Sequence, residues 1–284
     1  MSTILVTGAT GHFGKAAIES LAKKGVEAFA LVRSEAKAGD LKNVRFGDYD
    51  NYESLVKAFK GIDKLLFVSS SDVVARVQQH ENVVKAAKAA GVKHVVYTSF
   101  LAKNEGPTSP IAMITDSHLK TEKWLKESGI AYTILKNVIY ADYIPVTLGD
   151  KVLETGTIYA PAGDGKTAYV LRSEMAEIAA NILTSEGHEG KSYKITNEKA
   201  WSYDDIAKII SEATGKNIKY VSPTPEEYSK TLEGFGIPAL VVKVITGFEV
   251  AKAQGEFDIT DNTVEKLLGR KPTSVESYLK EYYS

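Results

Sequence analysis

Apolar positions in the first half of the chain fall into two alternating patterns. Short runs at 3–6, 28–32, 64–68 and 94–98 are apolar, with β-branched residues prominent, and read as strands. Between them, 15–24, 54–59 and 77–90 read as helices; the first places Ala16, Ala17, Leu21 and Ala22 at helical spacing. The last of these stops at Gly91, a residue suited to a helix C-terminus. Strand, helix, strand at this pace predicts βαβ units and a parallel sheet. A sixth strand is expected at 131–135, fed by a helix at 117–126, and a seventh at 192–195. Two βαβαβ halves make a doubly wound α/β fold, with ligands held at the carboxyl ends of the strands.

After Asn137 the pattern changes. Turn-rich pieces such as Ala160-Pro-Ala-Gly-Asp-Gly165 separate shorter elements. A helix is predicted at 202–214, with Ser202 as N-cap and Asp205 three residues on. A short strand is expected at 219–221, a helix start at Pro223 and Pro225, and helices at 238–253 and 263–268. The expected division is a Rossmann domain over 1–137, rejoined by the strand near 192–196. Residues 138–284 form mainly a smaller α/β C-terminal lobe over the carboxyl edge of the sheet.

The first predicted strand runs into Gly8-Ala-Thr-Gly11-His-Phe-Gly14 and then a helix. In that context the first Gly permits a tight turn, the second lets the backbone approach a pyrophosphate, and the third allows close helix–strand packing. The free N–H groups of the helix start favour phosphate. Thr10, His12 and Phe13 are expected beside the dinucleotide. An NAD site usually has an acid about 20 residues on, for the ribose 2′-hydroxyl. Here Arg33 stands at the end of the second strand, where a guanidinium suits a 2′-phosphate, with Lys37 nearby. The cofactor expected is NADPH in preference to NADH; the other reading of Arg33 is a solvated surface residue. Asp48, after the third strand, is placed to reach the adenine amino group, or else bonds its own turn backbone.

Composition narrows the partners. The formal net charge of -1 offers no basic field for nucleic acid or an anionic membrane. No apolar stretch is long enough to span a bilayer. There are no cysteines, so disulfides, thiolate nucleophiles and Cys-ligated metals are excluded. The first eight residues read as a strand rather than a signal peptide, and a cytoplasmic location is expected. The five histidines show no metal-ligand spacing, and no metal is expected.

The glycine turn, Val32-Arg-Ser34, Gly47-Asp-Tyr49, Gly91-Val-Lys-His-Val-Val-Tyr-Thr-Ser99, His118-Leu-Lys-Thr-Glu122 and Tyr132-Thr-Ile-Leu-Lys-Asn137 together resemble the NmrA-like branch of the atypical short-chain dehydrogenases. Within that branch the chain is similar to the type 2 NAD(P)H:quinone oxidoreductases and triphenylmethane reductase. The resemblance implies cofactor contacts at Gly8, Thr10, Gly11, His12, Phe13 and Arg33, and further ones at Ser69, Ser70, Thr98, Ser99 and Phe100. It implies that Asn137 and Tyr140 line the nicotinamide or acceptor side.

Ordinary short-chain dehydrogenases use a Tyr-x-x-x-Lys pair on a helix, the Lys lowering the Tyr pKa. The single match here, Tyr132 with Lys136, falls on a predicted strand. There the spacing separates the two Cα atoms by about 13 Å, against about 6 Å on a helix. In the helix that should carry the pair, Lys120 can take the lysine position, but Asp116 stands where Tyr belongs. Reduction of an isolated ketone needs a nearby acid, whereas hydride addition to a quinone gives a delocalised anion that needs little help. The expected function is therefore NADPH-dependent reduction of a quinone or similar planar acceptor, by positioning. His118 or Lys120 is placed to polarise an acceptor oxygen, unless His118 simply bonds Glu122. Tyr140 and Tyr143 either stack on a planar ring or pack the lobe. The alternative function is a non-catalytic regulator that senses NADP(H), and a homodimer through the end helix at 278–283 is left open.

Overall fold

The computed structural model describes residues 2–149 and 151–284. Its first half runs β1 (Ile4–Val6), α1 (His12–Lys23), β2 (Ala28–Val32), β3 (Val44–Phe46), α2 (Tyr52–Phe59), β4 (Lys64–Phe67), α3 (Arg76–Ala89), β5 (His94–Phe100), α4 (Ala112–Glu127) and β6 (Ala131–Asn137). The remainder runs α5 (Tyr143–Leu148), α6 (Val152–Thr155), β7 (Thr157–Tyr159), α7 (Arg172–Leu183), β8 (Lys191–Ile195), α8 (Tyr203–Thr214), β9 (Lys219–Val221), α9 (Pro225–Gly234), α10 (Ala239–Ala253), α11 (Thr263–Leu268) and α12 (Val275–Tyr283).

Seven parallel strands form the main sheet in the order β3-β2-β1-β4-β5-β6-β8. The chain leaves β1 toward β2 on one side and returns to β4 on the other. That reversal opens a crevice at the carboxyl ends of β1 and β4. A second, two-stranded sheet pairs β7 with β9 in the lobe. The expected class, a doubly wound parallel sheet with a smaller α/β lobe, is the one observed.

Both faces of the sheet are buried, and residues alternate between two cores. Ile4, Val6, Leu66, Val96 and Leu135 pack with α1 and α7 on one face. Leu5, Leu65, Phe67, Val95 and Tyr97 pack with α2, α3 and α4 on the other. This explains why the strands read as unbroken apolar runs rather than alternating ones. A third core lies within the lobe, around Ile206, Ile210, Trp201 and Leu279.

Helix α7, with α5, α6 and β7, is absent from the sequence-based expectation. α7 is the crossover between β6 and β8 and packs along α1. Eight of its 12 residues are buried, Glu174 among them, so it lacks the polar face that marks a surface helix. α8 matches its prediction in detail. The Ser202 side chain accepts from the Asp205 N–H, and the Asp205 carboxylate accepts from the Ser202 N–H.

Candidate functional site

The turn after β1 is closed by glycine geometry. Gly8 has φ +58°, a region costly for other residues. A Cβ on Gly14 would lie 2.3 Å from the Gly8 carbonyl oxygen, so α1 starts pressed against the turn. The helix N-cap is Gly11, with no side-chain cap and no acidic residue in the first turn. The first-turn N–H groups therefore face outward with their partial positive charge unanswered. Thr10, Gly11 and His12 are exposed beside them, while Phe13 is buried with its ring 6.4 Å from that of Tyr140. Arg33 and Lys37 are exposed just past β2, on the same edge of the sheet. Asp48 uses Oδ1 to accept from the Asp50 N–H at 3.1 Å, which is the local turn bond that was its alternative reading.

Ser69, Ser99, Phe100, His118, Asn137 and Tyr140 line a single cavity of about 350 Å³ between the sheet edge and the lobe. Thr98 and Ser70 stand behind it as supports. The Thr98 hydroxyl accepts from the Ser69 N–H at 2.9 Å, and the Ser70 hydroxyl donates to Gln79 Oε1. The Ser99 hydroxyl donates to the buried Glu122 at 2.6 Å. Asn137 is 2% exposed, and neither its amide nitrogen nor its oxygen completes a hydrogen bond among the described residues. The Tyr140 hydroxyl approaches that amide without closing a bond of normal geometry. Tyr140 and Tyr143 stack at 6.0 Å between centroids, with the Arg172 guanidinium within 5.0 Å of both rings.

Two expectations for α4 change. Lys120 is exposed and ion-paired to Asp116 at 2.7 Å, so it is outside the cavity and polarises nothing there. One helical turn separates the two, and their opposite charges pair along the solvent face. His118 does not bond Glu122; its Nδ1 lies 2.7 Å from the Tyr97 hydroxyl. Tyr132 and Lys136 lie on β6, as expected of a chance match, and Lys136 pairs with Glu105 and Glu122.

The proton positions around His118 follow from its neighbours. The Ser70 N–H donates to His80 Nε2 at 2.9 Å, which places the His80 proton on Nδ1. That N–H points to Thr121 Oγ1 at 2.8 Å, whose own proton goes to the Ser117 carbonyl. The Tyr97 hydroxyl lies between His118 Nδ1 at 2.7 Å and His80 Nδ1 at 3.4 Å; when it donates to His118, the His118 proton sits on Nε2. Burial, helped by the nearby Arg76 charge, lowers the pKa of His80 to about 3 and that of His118 well below its ordinary value. Both rings are neutral near pH 7. His118 thus meets the cavity as a neutral ring.

Sequence reasoning missed Tyr97, Arg76 and the lobe wall. Arg76 begins α3, is 7% exposed, and donates from Nε to the Ser70 carbonyl at 2.7 Å. A cation at a helix N-terminus opposes the helix dipole, and that was a readable signal. Tyr169, Tyr203, Glu249 and Lys252 complete the cavity from the lobe. Glu249 and Lys252 are charges in a mostly apolar helix, which was a second signal.

A glycine turn at the β1 switch point and a cavity at the carboxyl edge define a Rossmann-type, dinucleotide-binding class of protein. The NmrA-like family profile matches residues 1–279, and the chain belongs to that family. Quinone oxidoreductase 2 of Escherichia coli is 37% identical over 278 residues, 96% of each chain. A crystal structure of the NADPH-dependent quinone oxidoreductase of that organism, complexed with NADPH, superposes with a TM-score of 0.93 at 35% identity, covering 99% of this chain and all of that one. The triphenylmethane reductase of Citrobacter sp. gives a TM-score of 0.90 at 37% identity, covering 99% of both chains.

Proposed function

We propose that the chain is an NADPH-dependent oxidoreductase that delivers a hydride to a quinone or similar planar acceptor. The observation that carries this reading is the neutral His118, placed on a cavity walled by Phe100, Tyr140, Tyr143 and Phe248. The likeness to quinone and triphenylmethane reductases over nearly the whole chain supports it.

The residues present fit the dinucleotide. The glycine cradle has no room for a Cβ at Gly14, and the open start of α1 suits a pyrophosphate. The unpartnered Asn137 amide offers a donor and an acceptor where the nicotinamide end is expected. Arg33, with Lys37, would hold the 2′-phosphate and set the preference for NADPH. When bound, NADPH supplies the hydride.

The protein then contributes position and electrostatics. The aromatic walls orient a flat ring and exclude water. His118 donates from Nε2 to an acceptor oxygen as negative charge develops there. In this state Tyr97 donates to Nδ1, which leaves the Nε2–H edge for the cavity. No Tyr-x-x-x-Lys acid takes part, and a delocalised product anion collects its proton from solvent.

The test is direct. Purified protein is mixed with NADPH and a panel of quinones, and loss of NADPH absorbance is followed. Turnover with at least some quinones is expected. A rate no higher than buffer for every acceptor, alongside normal NADPH binding, would point to a cofactor-sensing role and end the enzymatic reading.

A further inference from the structure

Tyr203, Glu249 and Lys252 meet on the lobe side of the cavity. Tyr203 opens α8, and Glu249 and Lys252 sit one turn apart on α10. They are only 2%, 3% and 4% exposed, and all three line the cavity. Lys252 Nζ donates to the Tyr203 oxygen at 2.7 Å and to the two Glu249 carboxylate oxygens at 3.0 and 3.2 Å. The Tyr203 hydroxyl donates in turn to Glu249 Oε1 at 3.1 Å. The backbone gives the cluster little play: a Cβ on Gly165 would lie 2.0 Å from the Lys252 carbonyl oxygen.

A buried ion pair is a weak source of stability, because desolvating two charges offsets most of their attraction. Placing one on a cavity wall makes sense if a ligand uses it. Glu249 Oε1 receives two donors, Tyr203 and Lys252. The Tyr203 proton can therefore turn to a ligand oxygen while Lys252 keeps the carboxylate paired and still grips the phenol oxygen. The cavity then has two polar regions. His118 and Asn137 come from the sheet side and this cluster from the lobe, with Phe100 and Phe248 also on the wall.

We propose that Tyr203, held by Lys252 and Glu249, donates a hydrogen bond to a second oxygen of the acceptor. The cavity thereby selects planar molecules that carry oxygens on two edges, such as 1,4-quinones, over those that carry one. This rests on the quinone reading above, but its test needs no turnover.

The protein is saturated with NADP+, so that no hydride is available, and titrated calorimetrically with 1,4-naphthoquinone and with 1-tetralone, a bicyclic ketone with one oxygen. The absence of cysteines removes thiol alkylation by the quinone. The wild type should bind the quinone more tightly. Tyr203→Phe should weaken quinone binding roughly three- to tenfold, the worth of one neutral hydrogen bond, and leave tetralone within about twofold. The double variant E249Q/K252M removes both charges without stranding either, and it should also reduce the quinone preference. Equal effects on both ligands, or none, overturn the proposal and leave the cluster as a brace between α8 and α10. A wild type that turns over quinones yet binds both ligands alike refutes the Tyr203 role only. Failed turnover with the preference intact refutes the reductase reading only.

Discussion

The Tyr97 hydroxyl stands 2.7 Å from Nδ1 of His118, and this contact selects the edge that the imidazole offers to the cavity. When Tyr97 donates to Nδ1, the ring proton is held on Nε2. His118→Ala should lower kcat with a quinone by about 10- to 100-fold, below the largest effects of losing an oxyanion donor because the product charge is delocalised. Tyr97→Phe keeps the ring but frees its tautomer, and a smaller loss of roughly fivefold is expected from the weakened orientation. Stopped-flow measurement of both variants checks the order. A Tyr97→Phe loss larger than that of His118→Ala would show that Tyr97 acts by another route.

Arg33 lies exposed past the end of β2, with Lys37 close behind in the following 3-10 turn. Loss of a charge-assisted bond to phosphate is worth about 1.5–3 kcal/mol, or roughly 10- to 150-fold in affinity. Arg33→Ala should raise the Kd for NADPH by that factor and barely change the Kd for NADH. Fluorescence titration with both nucleotides reads the difference. Parallel losses would mean that Arg33 touches something common to the two.

Gly14 and Gly11 separate packing from ligand approach. A methyl at Gly14 would lie 2.3 Å from the Gly8 oxygen and 2.8 Å from the Ala9 Cα, all backbone that cannot step aside. Gly14→Ala should therefore destabilise the protein by about 1–3 kcal/mol, as overpacking does, and abolish cofactor binding. At Gly11 the nearest contact, the Gly8 carbonyl oxygen, is 3.3 Å away and needs only a small shift, so Gly11→Ala should cost less stability than Gly14→Ala and lose affinity through the methyl's approach to the pyrophosphate. Thermal melts with and without NADPH distinguish the two. Equal Tm values for both apo variants would contradict the packing argument.

Much of this was legible in the chain. The three-residue spacing of Gly8, Gly11 and Gly14 and the apolar runs of β1, β2, β4 and β5 carry period and turn information locally, and they led to the sheet and its crevice. Ser202 and Asp205 announced α8 through capping chemistry that depends on only four residues. What was hidden depends on contacts between distant segments. Tyr97 and His118 are 21 residues apart, and Tyr203 and Lys252 49 apart, so no spacing rule brings them together. α7 was hidden for a different reason: buried on nearly every side, it has no face to read. Lys120 misled because the dehydrogenase pattern fixes a lysine by sequence offset, whereas its side chain reaches Asp116 at the surface.

Burial of His80 and His118 as neutral rings makes stability depend on pH. An unfolded histidine titrates near 6.5, whereas burial holds the folded pKa of His80 at about 3 and that of His118 well below 6.5. Below pH 6.5 the unfolded chain takes up protons that the folded one refuses, so stability falls as pH drops from 6.5 toward 3. For His80 the loss is about 1.4 kcal/mol per pH unit across that window, and His118 adds in the same direction. Above 6.5 neither ring contributes a slope. Melts from pH 8 to pH 4 should show a plateau and then a steep decline below about 6. A Tm that is flat down to pH 4.5 would mean that neither ring is held buried and neutral in the folded protein.

Asn137 places function and stability in opposition. Its amide is buried at the end of β6 with nitrogen and oxygen both unpartnered among the described residues. An unsatisfied buried polar group costs about 1–3 kcal/mol. Leucine has nearly the same shape and no polar atoms, so Asn137→Leu should stabilise the ligand-free protein. At about 2–4 °C per kcal/mol for a domain of this size class, the Tm should rise by a few degrees. The same change removes the donor and acceptor expected at the nicotinamide end, and kcat/KM should fall by about tenfold or more. The stabilisation should also vanish in the presence of saturating NADPH, which satisfies the amide in the wild type and not in the variant. A variant that is less stable than wild type without cofactor, yet retains full activity, would show that the amide is partnered by the protein and has no ligand to meet.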